Sequence, residues 1–67
     1  MYYVLERKDV LSVFPYIFNS KEELRDFVKF SLYQSDYILQ KLDKWLNKTK
    51  VNDCKAFSSF SIYAKVK

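Results

Sequence analysis

The chain has 67 residues, with no glycine, no histidine, one cysteine and a formal net charge of +4. One cysteine without histidine cannot build a tetrahedral zinc site or a disulfide framework, and a chain without glycine cannot form the Gly-rich loops that bind nucleotide phosphates. Without histidine there is also no Ser-His or Cys-His nucleophile pair. We therefore expect no catalytic residue, no cofactor and no metal, and we interpret the protein as a non-enzyme.

The size predicts a single compact domain over residues 1–67. A chain this short buries only about 60% of its unfolded surface, so its stability is marginal. Six Phe, six Tyr and one Trp provide more aromatic area than one small core can hide. We therefore expect some aromatic surface to be exposed or covered by another chain, and a homodimer is one such arrangement.

The sequence also allows a prediction of the cellular location of the protein. No segment approaches the roughly 18 apolar residues of a membrane span, and the N-terminus lacks the order of a signal peptide. Together with the single cysteine, this predicts a cytoplasmic protein that does not enter a membrane. The abundance of Lys, Asn, Phe, Tyr and Ile is typical of an AT-rich genome and suits a phage or mobile-element accessory protein.

Two strands are predicted before the first helix. Residues 2–8 begin with four strand-favouring side chains, and residues 11–18 have the same character. A turn at Lys8-Asp9 would connect them. Because Pro15 cannot donate a hydrogen bond to a sheet, the second strand should be an edge strand or be broken there.

A capping box predicts the start of the first helix, with Ser20 at the N-cap and Glu23 three residues later. The apolar face of this helix comprises Leu24, Phe27, Val28 and Leu32. The opposite face carries Lys21, Glu22, Arg25, Asp26 and Lys29. Because one face is apolar and the opposite face is charged, we predict a helix that packs against the core on one side only.

A second helix is predicted from Tyr37 to about Lys50, with an N-cap at Ser35-Asp36. Its apolar face comprises Ile38, Leu39, Leu42, Trp45 and Leu46. The 4-3 spacing of positions 24 to 49 is continuous, which leaves one long bent helix as an alternative. We favour a break near 33–36, because Ser and Asp cap helices better than they continue them.

The C-terminal segment predicts the last strand. Asn52-Asp53 is a turn, since Asn and Asp tolerate left-handed backbone when glycine is absent. Residues 56–67 then alternate between apolar and polar side chains. The order is β-β-α-α-β, and we predict an α+β fold in which a small antiparallel sheet is packed on one face by a helical pair or one bent helix.

The positive charge lies in the C-terminal part of the chain. Residues 1–40 carry five basic and six acidic side chains, whereas residues 41–67 carry seven lysines and two acids. Helical spacing places Tyr37, Lys41, Lys44 and Lys48 in one stripe, with Trp45 beside it. A solvated helix face explains such a stripe without any ligand and is the simpler interpretation, and the functional alternative is an anion-binding surface.

The functional hypothesis follows from this stripe and from the missing catalytic set. We predict a small protein-binding module that modulates or inhibits a larger partner protein, with Trp45 and Tyr37 as anchors. The alternative is a small basic nucleic-acid-binding protein that uses the Lys-rich helix face. The candidate binding residues are Tyr37, Lys41, Lys44, Trp45, Lys48, Lys50 and Lys55.

Overall fold

The computed structural model describes residues 1–8 and 14–66, which form a four-stranded antiparallel sheet and two helices. The elements are β1 (Tyr2–Arg7), β2 (Tyr16–Phe18), α1 (Lys21–Phe30), α2 (Asp36–Lys48), β3 (Cys54–Ala56) and β4 (Phe60–Lys65). The strands lie in the order β2-β1-β4-β3, so the first and last strands of the chain pair at the centre. The predicted α+β fold is confirmed, with one strand more than expected.

The short strand β2 lies at one edge of the sheet, as Pro15 predicted. The strand begins with the residue after the proline and pairs with β1 only, with Ile17 opposite Val4. Of the predicted strand over 11–18, residues 11–13 lie outside the described part of the chain, as does Asp9 of the predicted turn.

The predicted start of α1 is confirmed. The backbone N–H of Glu23 donates to Oγ of Ser20 at 3.1 Å. The Glu23 carboxylate in turn accepts from the backbone N–H of Asn19 at 3.1 Å, one residue earlier than the capping box predicts. The two bonds satisfy donors that no helical carbonyl reaches at this end.

The predicted break between two helices is confirmed, and the alternative of one bent helix is wrong. Tyr33 adopts a left-handed backbone with φ of 53°, and the N–H of Gln34 donates to the carbonyl of Val28 at 3.3 Å. The hydroxyl of Ser35 then accepts from the N–H of Ile38 at 3.4 Å and starts α2. The chain reverses direction at Tyr33. Glycine, which adopts this left-handed backbone most readily, does not occur in the sequence.

The C-terminal segment is a hairpin of β3 and β4, where the sequence predicted one strand over 56–67. The turn at Asn52 is confirmed by its φ of 75°. A second turn over 57–59 joins the strands, with the N–H of Phe57 donating to the carbonyl of Phe60 at 2.7 Å. Val66, which belongs to the apolar residues of the predicted strand, follows the end of β4 and is exposed.

Both helices cover the same face of the sheet. The buried core comprises Tyr3, Leu5, Leu24, Val28, Leu39, Leu42, Leu46, Phe57, Phe60, Ile62 and Ala64. The predicted apolar faces of α1 and α2 all contribute to it, with Phe27, Leu32, Ile38 and Trp45 packed at its margin. Neither α1 nor α2, the helices within the described ranges, has the length and apolarity needed to cross a bilayer.

Candidate functional site

The predicted lysine stripe is on the flank of α2 that the sheet leaves open. Leu42 and Leu46 are buried against the sheet, and this orientation directs Lys41, Lys44 and Lys48 outward, where all three are exposed. Because the three lysines are spaced at i+3 and i+4, their side chains are neighbours along the helix. The like charges of these three lysines repel one another, and this repulsion is not neutralised within the helix.

A fourth lysine reaches this flank from the sheet. Lys55 lies in β3 opposite Ile62 of β4, and Ile62 is fully buried on the helix-covered face. Paired residues of antiparallel strands point to the same side of a sheet, so Lys55 also points toward the helices. Because β3 is an edge strand, this side chain extends beside α2.

The four lysines and one aromatic ring line a shallow, open depression of about 260 Å³, which we name the lysine cleft. Its walls are Lys41, Lys44, Trp45, Lys48 and Lys55. The described side chains that form these walls include no carboxylate. A concave surface lined by one sign of charge concentrates counter-ions, because the low-dielectric walls focus the field. The lysine cleft is therefore suited to an anionic group.

Trp45 has two roles in the structure. Its side chain is half-buried and packs against the core, and it also lines the lysine cleft. An indole at the base of a cationic site offers an apolar face to a ligand while the surrounding ammonium groups provide charge. The predicted anchor residue is thus also a packing residue.

Two of the predicted site residues lie outside the lysine cleft. Tyr37 is one turn earlier on α2 and is 64% exposed, with the ammonium of Lys41 at 4.5 Å from its ring centroid. A hydrogen bond from Lys41, together with its positive charge, lowers the pKa of the Tyr37 phenol. Lys50 follows α2, and its backbone N–H donates to the Asp53 carboxylate at 2.8 Å in the turn before β3.

The other flank of α2 is electrically compensated. The guanidinium of Arg25 on α1 donates to both carboxylate oxygens of Asp43 on α2, at 3.0 and 3.2 Å. A second cleft of about 360 Å³ lies here, lined by Lys21, Glu22, Arg25, Asp43, Leu46 and Asn47. It is the larger of the two clefts, but its charges neutralise one another. Charge, and not volume, distinguishes the lysine cleft.

We expect the fluorescence of Trp45, the sole tryptophan of the sequence, to report the field of the lysine cleft. At low ionic strength the ratio of the iodide to the caesium quenching constant should exceed that of free N-acetyltryptophanamide by about threefold or more, because the lysines attract anions. This excess should shrink in about 1 M salt, where the Debye length falls to ~3 Å. A ratio at low salt no higher than that of the free indole would contradict a cationic cleft. Stern–Volmer titrations make the measurement.

Comparison of the chain with protein-family models, with curated proteins and with solved structures finds no match in any of the three. The chemistry of the lysine cleft is therefore the observation from which a function is argued.

Proposed function

We propose that this protein is a small non-enzymatic binding module that docks on an acidic surface of a larger partner protein and thereby modulates or inhibits it. The observation that carries the proposal is the convergence of four lysines and Trp45 in one cleft. A carboxylate from a partner would neutralise the mutual repulsion of these ammonium groups. The ring of Trp45 would supply the apolar contact that binding hot spots use.

The extent of the lysine cleft favours a protein partner. The first and last of its three helical lysines, Lys41 and Lys48, are seven positions apart, about 10 Å along the axis of α2. The next lysine, Lys50, lies outside the cleft walls. A compact cationic site with exposed Tyr37 one turn away resembles an interface with a charged centre and aromatic neighbours more than a long track for a polynucleotide backbone.

Nucleic acid is the second candidate, and the same cleft supports it. Lysine ammonium groups neutralise phosphates, and an aromatic ring beside them can stack on a base. The cleft walls contain no arginine, the residue that most often reads bases bidentately. Binding of this kind would therefore follow the backbone, without base specificity, and would weaken steeply as salt is raised.

A pull-down with charge-reversed variants tests the proposal. The tagged protein should capture a stoichiometric partner from a lysate of its source, with or without nuclease. The triple variant Lys41→Glu, Lys44→Glu, Lys48→Glu should lose at least about 90% of the captured partner, since the attraction becomes repulsion. Circular dichroism establishes that the variant is folded.

The matched control is Lys21→Glu, Lys29→Glu, Lys65→Glu, which changes net charge equally at three exposed positions outside the lysine cleft. This control should keep the partner. Equal loss in both triple variants would indicate attraction to net charge alone and would refute a local site. Loss of the partner after nuclease treatment, together with a salt-sensitive gel shift of an oligonucleotide, would replace the protein partner with nucleic acid.

A further inference from the structure

The sheet has a second face, which α1 and α2 leave open. In the central strands β1 and β4, buried side chains on the helix side alternate with side chains that point to the other side. The register of the sheet shows which residues are neighbours there. This outer face lies on the opposite side of the sheet from α2 and its lysines.

One line of side chains crosses the whole outer face. Ile17, Val4, Tyr63 and Cys54 are aligned across the four strands by consecutive pairing. We name them the outer row. Ile17 is 62% exposed, Cys54 is exposed, and Val4 and Tyr63 are half-buried. At about 4.8 Å between strands, the outer row spans ~14 Å.

Opposite charges flank the outer row. Glu6 lies on one side of it, paired with Ser61, and Lys65 lies on the other side, paired with Tyr2. Both charged side chains are exposed. A two-fold axis parallel to the outer row would exchange the two sides, so that Glu6 of one copy comes beside Lys65 of the other. The face is therefore complementary to itself in both apolarity and charge.

We propose that the outer face is a self-association surface, on which a second copy of this chain packs sheet against sheet. Aligned sheets pack about 10 Å apart through such faces. The proposal does not depend on the lysine cleft, which stays accessible in this arrangement. A patch of this size buries on the order of 400 Å² per copy, about half of a standard interface, so the dimer is weak and forms as concentration rises.

The contacts of Tyr63 argue for a second copy over a nucleic acid on this face. The ammonium of Lys65 lies 5.6 Å from the centroid of the Tyr63 ring, where a stacked base would otherwise bind. Glu6 offsets the charge of Lys65, so the face offers no net attraction to phosphates. An apolar row between one acid and one base matches another copy of itself.

Sedimentation equilibrium from about 10 µM to about 1 mM tests the proposal, because a weak interface of this size dissociates within that range. Ile17→Lys should raise the dimer dissociation constant about tenfold or more by placing a charge in the outer row. The matched control is Phe30→Lys on α1, because Phe30 and Ile17 are both 62% exposed. This control should dimerise like the wild type. Circular dichroism verifies that both variants are folded.

A mixing experiment tests the ionic contact between copies. Glu6→Lys and Lys65→Glu should each self-associate about tenfold more weakly than the wild type, because like charges then meet across the two-fold axis. An equimolar mixture of the two variants should restore dimerisation, because every contact in the mixed dimer again joins a lysine to a glutamate. A contact within one chain could not be restored by mixing.

Three results would overturn the proposal. The first is a wild-type chain that stays monomeric across the concentration range. The second is a dimer that Ile17→Lys leaves intact, which would place the interface elsewhere. The third is an oligonucleotide that binds the wild-type chain and is lost on Ile17→Glu, which would make nucleic acid the occupant of this face.

Discussion

Phe60→Ala is expected to remove a large fraction of the free energy of unfolding of this chain at 25 °C. Phe60 is fully buried, begins the central strand β4, and stacks on Phe57 with ring centroids 4.7 Å apart. Truncation of a buried phenylalanine costs about 3–5 kcal/mol, from lost transfer free energy and from the cavity that remains. A domain of this length has a total stability of only ~3–10 kcal/mol, so this one substitution removes a large fraction of it.

Urea denaturation, followed by circular dichroism and by Trp45 fluorescence, measures the loss. The matched control is Phe30→Ala, which removes the same ring from an exposed position on α1 and should change the free energy of unfolding by no more than about 0.5 kcal/mol. If Phe60→Ala changed stability no more than this control did, the core would not be organised around β4 as the structure shows.

The second large effect is expected from Trp45→Ala, which should weaken both stability and partner binding. The half-buried indole packs against the core and lines the lysine cleft. Its removal should cost about 2 kcal/mol, less than the ~3–5 kcal/mol of a fully buried ring. Loss of binding by this variant alone would therefore not distinguish an anchor from a packing residue.

Leu46→Ala separates the two roles. Leu46 is the next residue of α2 and is buried in the core, but it lines the second cleft and not the lysine cleft. Leu46→Ala should lower the free energy of unfolding by about 2–5 kcal/mol. The molecules of this variant that remain folded should still bind the partner. At a temperature where both variants are folded, Trp45→Ala should bind about a hundredfold more weakly than Leu46→Ala. Equal binding by the two would show that Trp45 is only a packing residue.

The helices of this fold could be predicted because their signals are local. Ser20 and Ser35 offer side-chain acceptors to N–H groups three residues later, and the apolar residues of each helix repeat at helical spacing. The interruption between α1 and α2 also depends on nearby residues. Capping and periodicity need no knowledge of the rest of the chain.

The strand β3 could not be predicted in the same way. Its three residues, Cys54, Lys55 and Ala56, are too few to establish a period-two pattern, so the local pattern does not mark them as a strand. They form one because they pair with β4, whose other edge pairs with β1. The pairing partner of a strand is a property that the intrinsic propensity of its residues does not contain.

The candidate site, too, could be predicted only in part from local patterns. Helical spacing was enough to group Lys41, Lys44 and Lys48, because neighbours on one helix face are set by 3.6 residues per turn. Lys55 was also a candidate from the sequence, but its position beside these three lysines depends on the register of the β3–β4 pair, since a shift of one residue would turn this side chain to the opposite face. The alignment of the outer row depended on three such registers.

Composition and charge thus argued against a Cys/His zinc centre, a disulfide framework and a Gly-rich nucleotide loop, and located the positive charge in the C-terminal part of the chain. Periodicity and capping then predicted two helices with one apolar face each. Only the tertiary structure decided which surfaces these residues form, because a cleft and a sheet face are assembled from residues of different elements. The lysine cleft joins α2 to β3, and the outer row joins all four strands.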